Sequence, residues 1–185
     1  KNMYGTPGPM LPGWKLEDIL VGLGNKAVEW INEQSKQDKP FFLYLPLTSP
    51  HTPIAPSKSF QGKSGITLYG DFVMETDWVV GQVMQALKES GQAKNTLIIF
   101  SADNGTAVPA NFEELESKGV DLRHNFKGRK CQIQEGGHRV PFVARWPARI
   151  KAGSICKQTI CMNDFMATVA DILDVSLPKN SAEDS

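Results

Sequence analysis

One run of residues constrains this chain more than any other. Thr96-Leu97-Ile98-Ile99-Phe100 is apolar and β-prone, and it stops abruptly at Ser101-Ala102-Asp103-Asn104-Gly105. Consecutive large apolar side chains predict a strand buried on both faces, and Asp-Asn-Gly is turn chemistry. In parallel α/β sheets ligands bind beyond the carboxyl ends of strands. Such an end here delivers a carboxylate and an amide oxygen, two hard ligands for a divalent cation. Asp-Asn-Gly is equally at home in a plain turn. Two ligands also fall short of the roughly 6–8 oxygens that calcium takes, and no second carboxylate cluster stands at another strand end.

The rest of the chain supplies a context for that strand. Residues 1–15 are dense in glycine and proline, which predicts an irregular entry segment over 1–24. Asn25 is a candidate N-cap for a helix to about Lys36, with Ala27, Trp30 and Ile31 on its apolar face. Phe41-Phe42-Leu43-Tyr44-Leu45 reads as a second buried strand, followed by the proline-stiffened loop Ser49-Pro50-His51-Thr52-Pro53. The longest helical signal runs from Leu68 to Ser90 and closes at Gly91. Strand, helix, strand in this order predicts a βαβ unit with parallel strands, its two loops emerging at one sheet edge. A short helix near Asn111–Lys118, a strand over Pro141–Pro147 and an amphipathic helix from Asp164 to Leu173 follow. The stripe of that last helix is Phe165, Val169, Ile172 and Leu173. The expected organisation is an α/β core over 25–175 and a polar tail over 176–185.

Charge excludes some partners. Lys+Arg and Asp+Glu number 20 each in 185 residues, so there is no basic footprint for nucleic acid or an anionic membrane. No apolar stretch reaches the roughly 20 residues of a membrane span. Cys131, Cys156 and Cys161 form neither a disulfide framework nor a CxxC zinc pattern, and they read best as buried free thiols.

Three further features bear on chemistry. Prolines on both sides could fix the His51 imidazole as a proton donor, although alone it fits an ordinary surface histidine better. Arg129-Lys130 precedes Glu135-Gly136-Gly137-His138-Arg139, where the glycines allow close backbone approach. A lysine there could neutralise a sulfate or phosphate oxygen, or it could belong to a solvated basic face. Asp77 is expected to bind a neighbouring loop, and His124 and His138 to be structural.

Taken together and in this order, these segments resemble the sulfatases, the arylsulfatase-like branch of the alkaline phosphatase superfamily. The matching stretches are Lys39–Leu45 with Pro50-His51-Thr52-Pro53, and Tyr69–Val73 with Asp77 and Val80-Gly81. Asn95–Gly105, Gly128-Arg129-Lys130 with Glu135–Pro147, and Asp164–Thr168 complete the set. The resemblance implies an alkaline-phosphatase-like α/β sandwich with a mainly parallel central sheet flanked by helices. It implies that Asp103 and Asn104 ligate one divalent cation, Ca²⁺, that Lys130 holds the sulfate, and that His51 protonates the leaving oxygen.

The implied activity is hydrolysis of a small-molecule or carbohydrate sulfate ester. A phosphodiesterase or phosphonate monoester hydrolase of the same superfamily is the alternative, and a non-catalytic sulfatase-like module the third reading. The family's nucleophile is a formylglycine made within Cys/Ser-x-Pro-x-Arg, and no such motif occurs in this chain. The chain is therefore expected to be the C-terminal part of one catalytic domain, inactive alone and partnered by a missing N-terminal half. An exported location (periplasmic, secreted or lysosomal) is the corresponding expectation.

Overall fold

The computed structural model describes residues 11–122, 124–182, 184 and 185. The Gly/Pro-rich residues 1–10, expected to be irregular, lie outside the described residues. The chain divides into two compact units, 1–150 and 151–185.

The first unit is organised around two long helices, α1 (Ile19–Gln34) and α2 (Leu68–Glu89). Helix α1 starts six residues before Asn25, after a 3-10 turn over Leu16–Asp18, so part of the supposed irregular segment is helical. Gly22 and Gly24 obscure this start, because glycine costs about 1 kcal/mol relative to alanine inside a helix. Gly24 has a packing reason: a Cβ there would meet Val79 side-chain carbons at 3.2 and 3.3 Å. Leu20, Gly24, Ala27 and Ile31 form the buried stripe of α1. Helix α2 follows its expected bounds; the Thr67 hydroxyl accepts from Gly70 N–H at 3.1 Å as its cap, and Gly91 takes φ 77° just beyond Ser90.

Two apolar clusters join these helices to the connecting segments. Leu20, Phe72 and Val79 form one, with Leu47, Ile54 and Trp78 packed against it. Ile31, Ala86 and Leu87 form the other, covered by Phe41, Leu43 and Ile98 among others. The 41–48 segment alternates half-buried and exposed positions, with Phe42 and Tyr44 facing outward at 66% and 77% exposure. Its odd-numbered side chains face the core, so it is extended and buried on one face only. No strand is formed there, and the parallel pairing expected with residues 96–100 is absent among the described residues.

The sheet is instead an antiparallel pair, β1 (Ile98–Ser101) with β2 (Phe142–Arg145). The register matches Ile98 with Arg145 and Ser101 with Phe142. Strand β1 is half-buried, with Phe100 exposed, rather than enclosed on both faces. Trp146 Nε1 donates to Asn95 Oδ1 at 3.2 Å and Ser101 Oγ donates to Pro141 O at 2.8 Å, closing the pair at its two ends. Helices α3 (Phe112–Ser117) and α4 (Glu135–His138) lie in the long connection between the strands.

The loop-binding role expected of Asp77 belongs to its neighbours on α2. Asp77 is exposed, whereas Asp71 accepts from Gly62 N–H at 2.7 Å and from Ser64 N–H at 2.8 Å. Burial pushes the Asp71 carboxyl up, but the hydrogen bonds from Ser64 and Gly62 outweigh it and hold the group below the usual aspartate value.

The second unit contains α5 (Asp164–Ile172), near its expected bounds. Ala170 is its buried residue, and the expected stripe residues Phe165, Ile172 and Leu173 are exposed within it. Cys131, Cys156 and Cys161 are free, as read, but exposed rather than buried, and all three fall in irregular segments.

Candidate active site

Antiparallel pairing decides which loops meet. The carboxyl end of β1 lies beside the amino end of β2, so residues 102–107 and the 127–141 segment leave the sheet at one end. Backbone hydrogen bonds then join the two loops. Gly105 N–H donates to Gly137 O at 2.9 Å, and Lys130 N–H donates to Thr106 O at 3.0 Å. Within the second loop Gly136 N–H donates to Lys127 O at 2.8 Å and Gly137 N–H to Gln134 O at 2.7 Å.

The glycines are required by contact. A Cβ at Gly105 would lie 1.9 Å from Gly136 O, and one at Gly136 would lie 2.3 Å from Gly128 O. No side chain fits at such separations, so the approach that brings the loops together depends on Gly105, Gly136 and Gly137. Polar side chains brace the outer wall. Arg139 pairs with Glu135 at 2.9 Å and lies over the Phe126 ring at 4.7 Å. His138 Nε2 donates to Ile133 O at 2.9 Å, which is the structural role expected of it.

Asp103, Asn104 and Lys130 are thereby brought to the joined loops. Asp103 is exposed, and Asn104 and Lys130 are half-buried. Asn104 Nδ2 donates to Gly105 O at 3.1 Å, and its Oδ1 has no hydrogen bond among the described residues. Among the described residues the Asp103 carboxylate and the Lys130 ammonium have no ion pair. A free carboxylate oxygen and a free amide oxygen on adjacent residues suit a hard cation such as calcium. A cation there would need further ligands, since no group of three or more His, Cys, Asp or Glu side chains capable of holding a metal occurs among the described residues.

His51 belongs to a different loop. It is exposed, between the cis peptides Ser49-Pro50 and Thr52-Pro53. Its Nδ1 lies 2.7 Å from Thr52 O. A carbonyl only accepts, so Nδ1 carries the hydrogen in this contact. The described hydrogen bonds of His51 stay within its own loop, and none reaches Asp103, Asn104 or Lys130. Sequence reasoning missed Glu75, the buried carboxylate on α2 that accepts from Ser57 N–H. A signal was available, since Glu75 falls between Phe72 and Val79 on the apolar stripe of α2.

Comparison with known proteins agrees with an α/β fold. The sulfatase family profile matches residues 22–175. An N-acetylgalactosamine-6-O-sulfatase of Bacteroides thetaiotaomicron is 34% identical over 177 residues, 93% of this chain and 34% of that protein. Human steryl-sulfatase is 40% identical over 167 residues, 89% of this chain and 28% of that protein. Among solved structures, a sulfatase from Pseudoalteromonas sp. superposes with a TM-score of 0.80 at 29% identity, covering 90% of this chain and 32% of that one. The chain belongs to the sulfatase family, and its fold is the alkaline-phosphatase-like α/β fold of those neighbours. It spans about a third of the length of the curated relatives it matches. None of the described helices is long and apolar enough to cross a membrane.

Proposed function

We propose that this chain carries the anion-stabilising part of the active site of a sulfuric ester hydrolase, a longer enzyme of one catalytic domain. The observation that supports this most is the joining of the Asp103-Asn104-Gly105 turn to the Lys130 loop through Gly105–Gly137 and Lys130–Thr106 backbone bonds in a member of the sulfatase family. Asp103 and Asn104 would hold Ca²⁺, with the remaining ligands and the formylglycine nucleophile supplied from outside this chain. When bound, the cation supplies positive charge that favours negative charge on sulfate oxygens.

Lys130 adds a fixed point charge to the same oxygens, held in place by its own backbone bond to Thr106. His51 delivers a proton from Nε2 to the departing alcohol oxygen, while Nδ1–H stays on Thr52 O and fixes the ring. In the net reaction the ester S–O bond breaks, water supplies the new oxygen on sulfur, and the alcohol leaves protonated. The relatives named for N-acetylgalactosamine 6-O-sulfate and for steryl sulfate differ widely in that alcohol. The substrate class is therefore a small-molecule or carbohydrate sulfate ester. An exported setting, periplasmic, secreted or lysosomal, belongs to the same proposal.

The test compares substrates. The longer enzyme containing this chain is expected to hydrolyse an aryl sulfate faster than the matching aryl phosphate diester or phosphonate monoester, and to lose activity on calcium chelation. The 185-residue chain alone is expected to show no turnover. A preference for the phosphorus esters would contradict the sulfatase reading, and turnover by the chain alone would contradict a nucleophile outside it.

A further inference from the structure

Glu75 of α2 is fully buried, on a helix that carries neither Asp103, Asn104, Lys130 nor His51. Its Oε2 accepts from Ser57 N–H at 2.9 Å. Its Oε1 is the one buried side-chain oxygen or nitrogen without a hydrogen-bond partner among the described residues. Burying a carboxylate is costly, and leaving one oxygen bare adds to the cost. Such a group needs a reason, and the loop it touches offers one.

That loop carries His51. Its two flanks are anchored by apolar side chains, Leu47 before it and Ile54 after it, both packed on the Leu20, Phe72 and Val79 cluster. Polar side chains of α2 then fasten it at two more points. Thr76 Oγ1 lies 2.7 Å from Ser49 Oγ, two residues before His51. Glu75 takes the backbone N–H of Ser57, six residues after it. The exposed imidazole is thus borne on a short span whose ends, half-buried Ser49 and buried Ser57, are held by adjacent residues of one helix.

We propose that Glu75 is a positioning residue for His51, its carboxylate clamping the loop through Ser57 N–H so that the imidazole keeps one orientation. This rests on the reading of His51 as the proton donor. The role needs an acceptor for Ser57 N–H at that place and does not need the charge. Glu75→Gln offers the same acceptor and sets an amide N–H₂ where Oε1 lacks a partner. Glu75→Leu has similar bulk and removes the acceptor.

In the longer enzyme, Glu75→Leu is expected to lower kcat about tenfold or more with KM within about twofold, the signature of a misplaced group acting in the reaction step. Glu75→Gln is expected to restore kcat to within about threefold of the parent. Labelling of His51 by diethyl pyrocarbonate, followed peptide by peptide in a mass spectrometer, should speed up about twofold or more in Glu75→Leu and stay unchanged in Glu75→Gln, because a loosened loop frees Nδ1 from Thr52 O. If Glu75→Leu does not fold, Thr76→Val carries the test, with a smaller kcat loss and the same faster labelling. Parent-like kcat and labelling in the apolar variant would overturn the proposal, as would an equal loss in Glu75→Gln. His51→Ala with full activity would refute the proton-donor role, and the labelling rates would still decide separately whether Glu75 holds the loop.

Discussion

Lys130→Ala in the longer enzyme that contains this chain is expected to lower kcat by about 10²–10³-fold, the range for losing one pre-set electrostatic contact to a developing negative charge. Lys130 N–H is fixed on Thr106 O, so the side chain starts from a point tied to the turn that bears Asp103 and Asn104. Its ammonium has no ion pair among the described residues and is free to meet an anion. Charge on the sulfate oxygens grows as the ester bond breaks, so the loss should fall on kcat and on kcat/KM alike. Lys130→Arg should rescue little, because a planar fork replaces a compact point charge at a crowded loop. Steady-state hydrolysis of an aryl sulfate measures this. An unchanged kcat/KM in Lys130→Ala would remove Lys130 from the site.

Gly137→Ala is expected to be nearly as damaging, although it adds only a methyl group and no charge. A Cβ at Gly137 would lie 1.9 Å from Gln132 O and 2.8 Å from Arg129 O, both backbone atoms of the same loop. Neither can turn aside as a flexible side chain would. The loop must shift, and Gly137 O is the acceptor for Gly105 N–H, so the shift passes to the Asp103-Asn104 turn. A displacement of about 1 Å in such a group can cost about 10²-fold in rate. Gly81→Ala is the control: it lies within α2, where a new Cβ meets nothing within 4 Å. Helix propensity predicts that Gly81→Ala gains up to about 1 kcal/mol. The contrast is read in thermal unfolding midpoints and in kcat. A Gly137→Ala enzyme with the parent's midpoint and rate would contradict the described loop contact.

The helices show what local sequence can and cannot convey. The helical spacing of Phe72, Val79 and Leu87 with Gly91 at its end made α2 legible to within a residue. The start of α1 was not, because Gly22 and Gly24 weaken its helical signal, while the reason for Gly24 is Val79 on another helix. Strand identity was legible for β1 and β2, but their direction was not. Pairing between residues some forty positions apart depends on the connection, and strand order alone suggested a parallel unit with Phe41–Leu45.

The candidate site divides in the same way. Asp103, Asn104, Lys130 and His51 could each be named from residue type and family resemblance. The loops that carry three of them are joined by backbone bonds, Gly105–Gly137 and Lys130–Thr106, and backbone groups carry no sequence signal of their partner. Glu75 was overlooked because an acidic residue in a helix is ordinary until its burial is known.

The most direct measurement is a crystal structure of the longer enzyme grown with calcium and inorganic sulfate. The Asp103 carboxylate and Asn104 Oδ1 are expected within about 2.3–2.6 Å of the calcium ion. Lys130 Nζ is expected within hydrogen-bonding distance of a sulfate oxygen. Calcium held without either Asp103 or Asn104, or sulfate bound away from Lys130, would contradict the assignment of this corner of the fold.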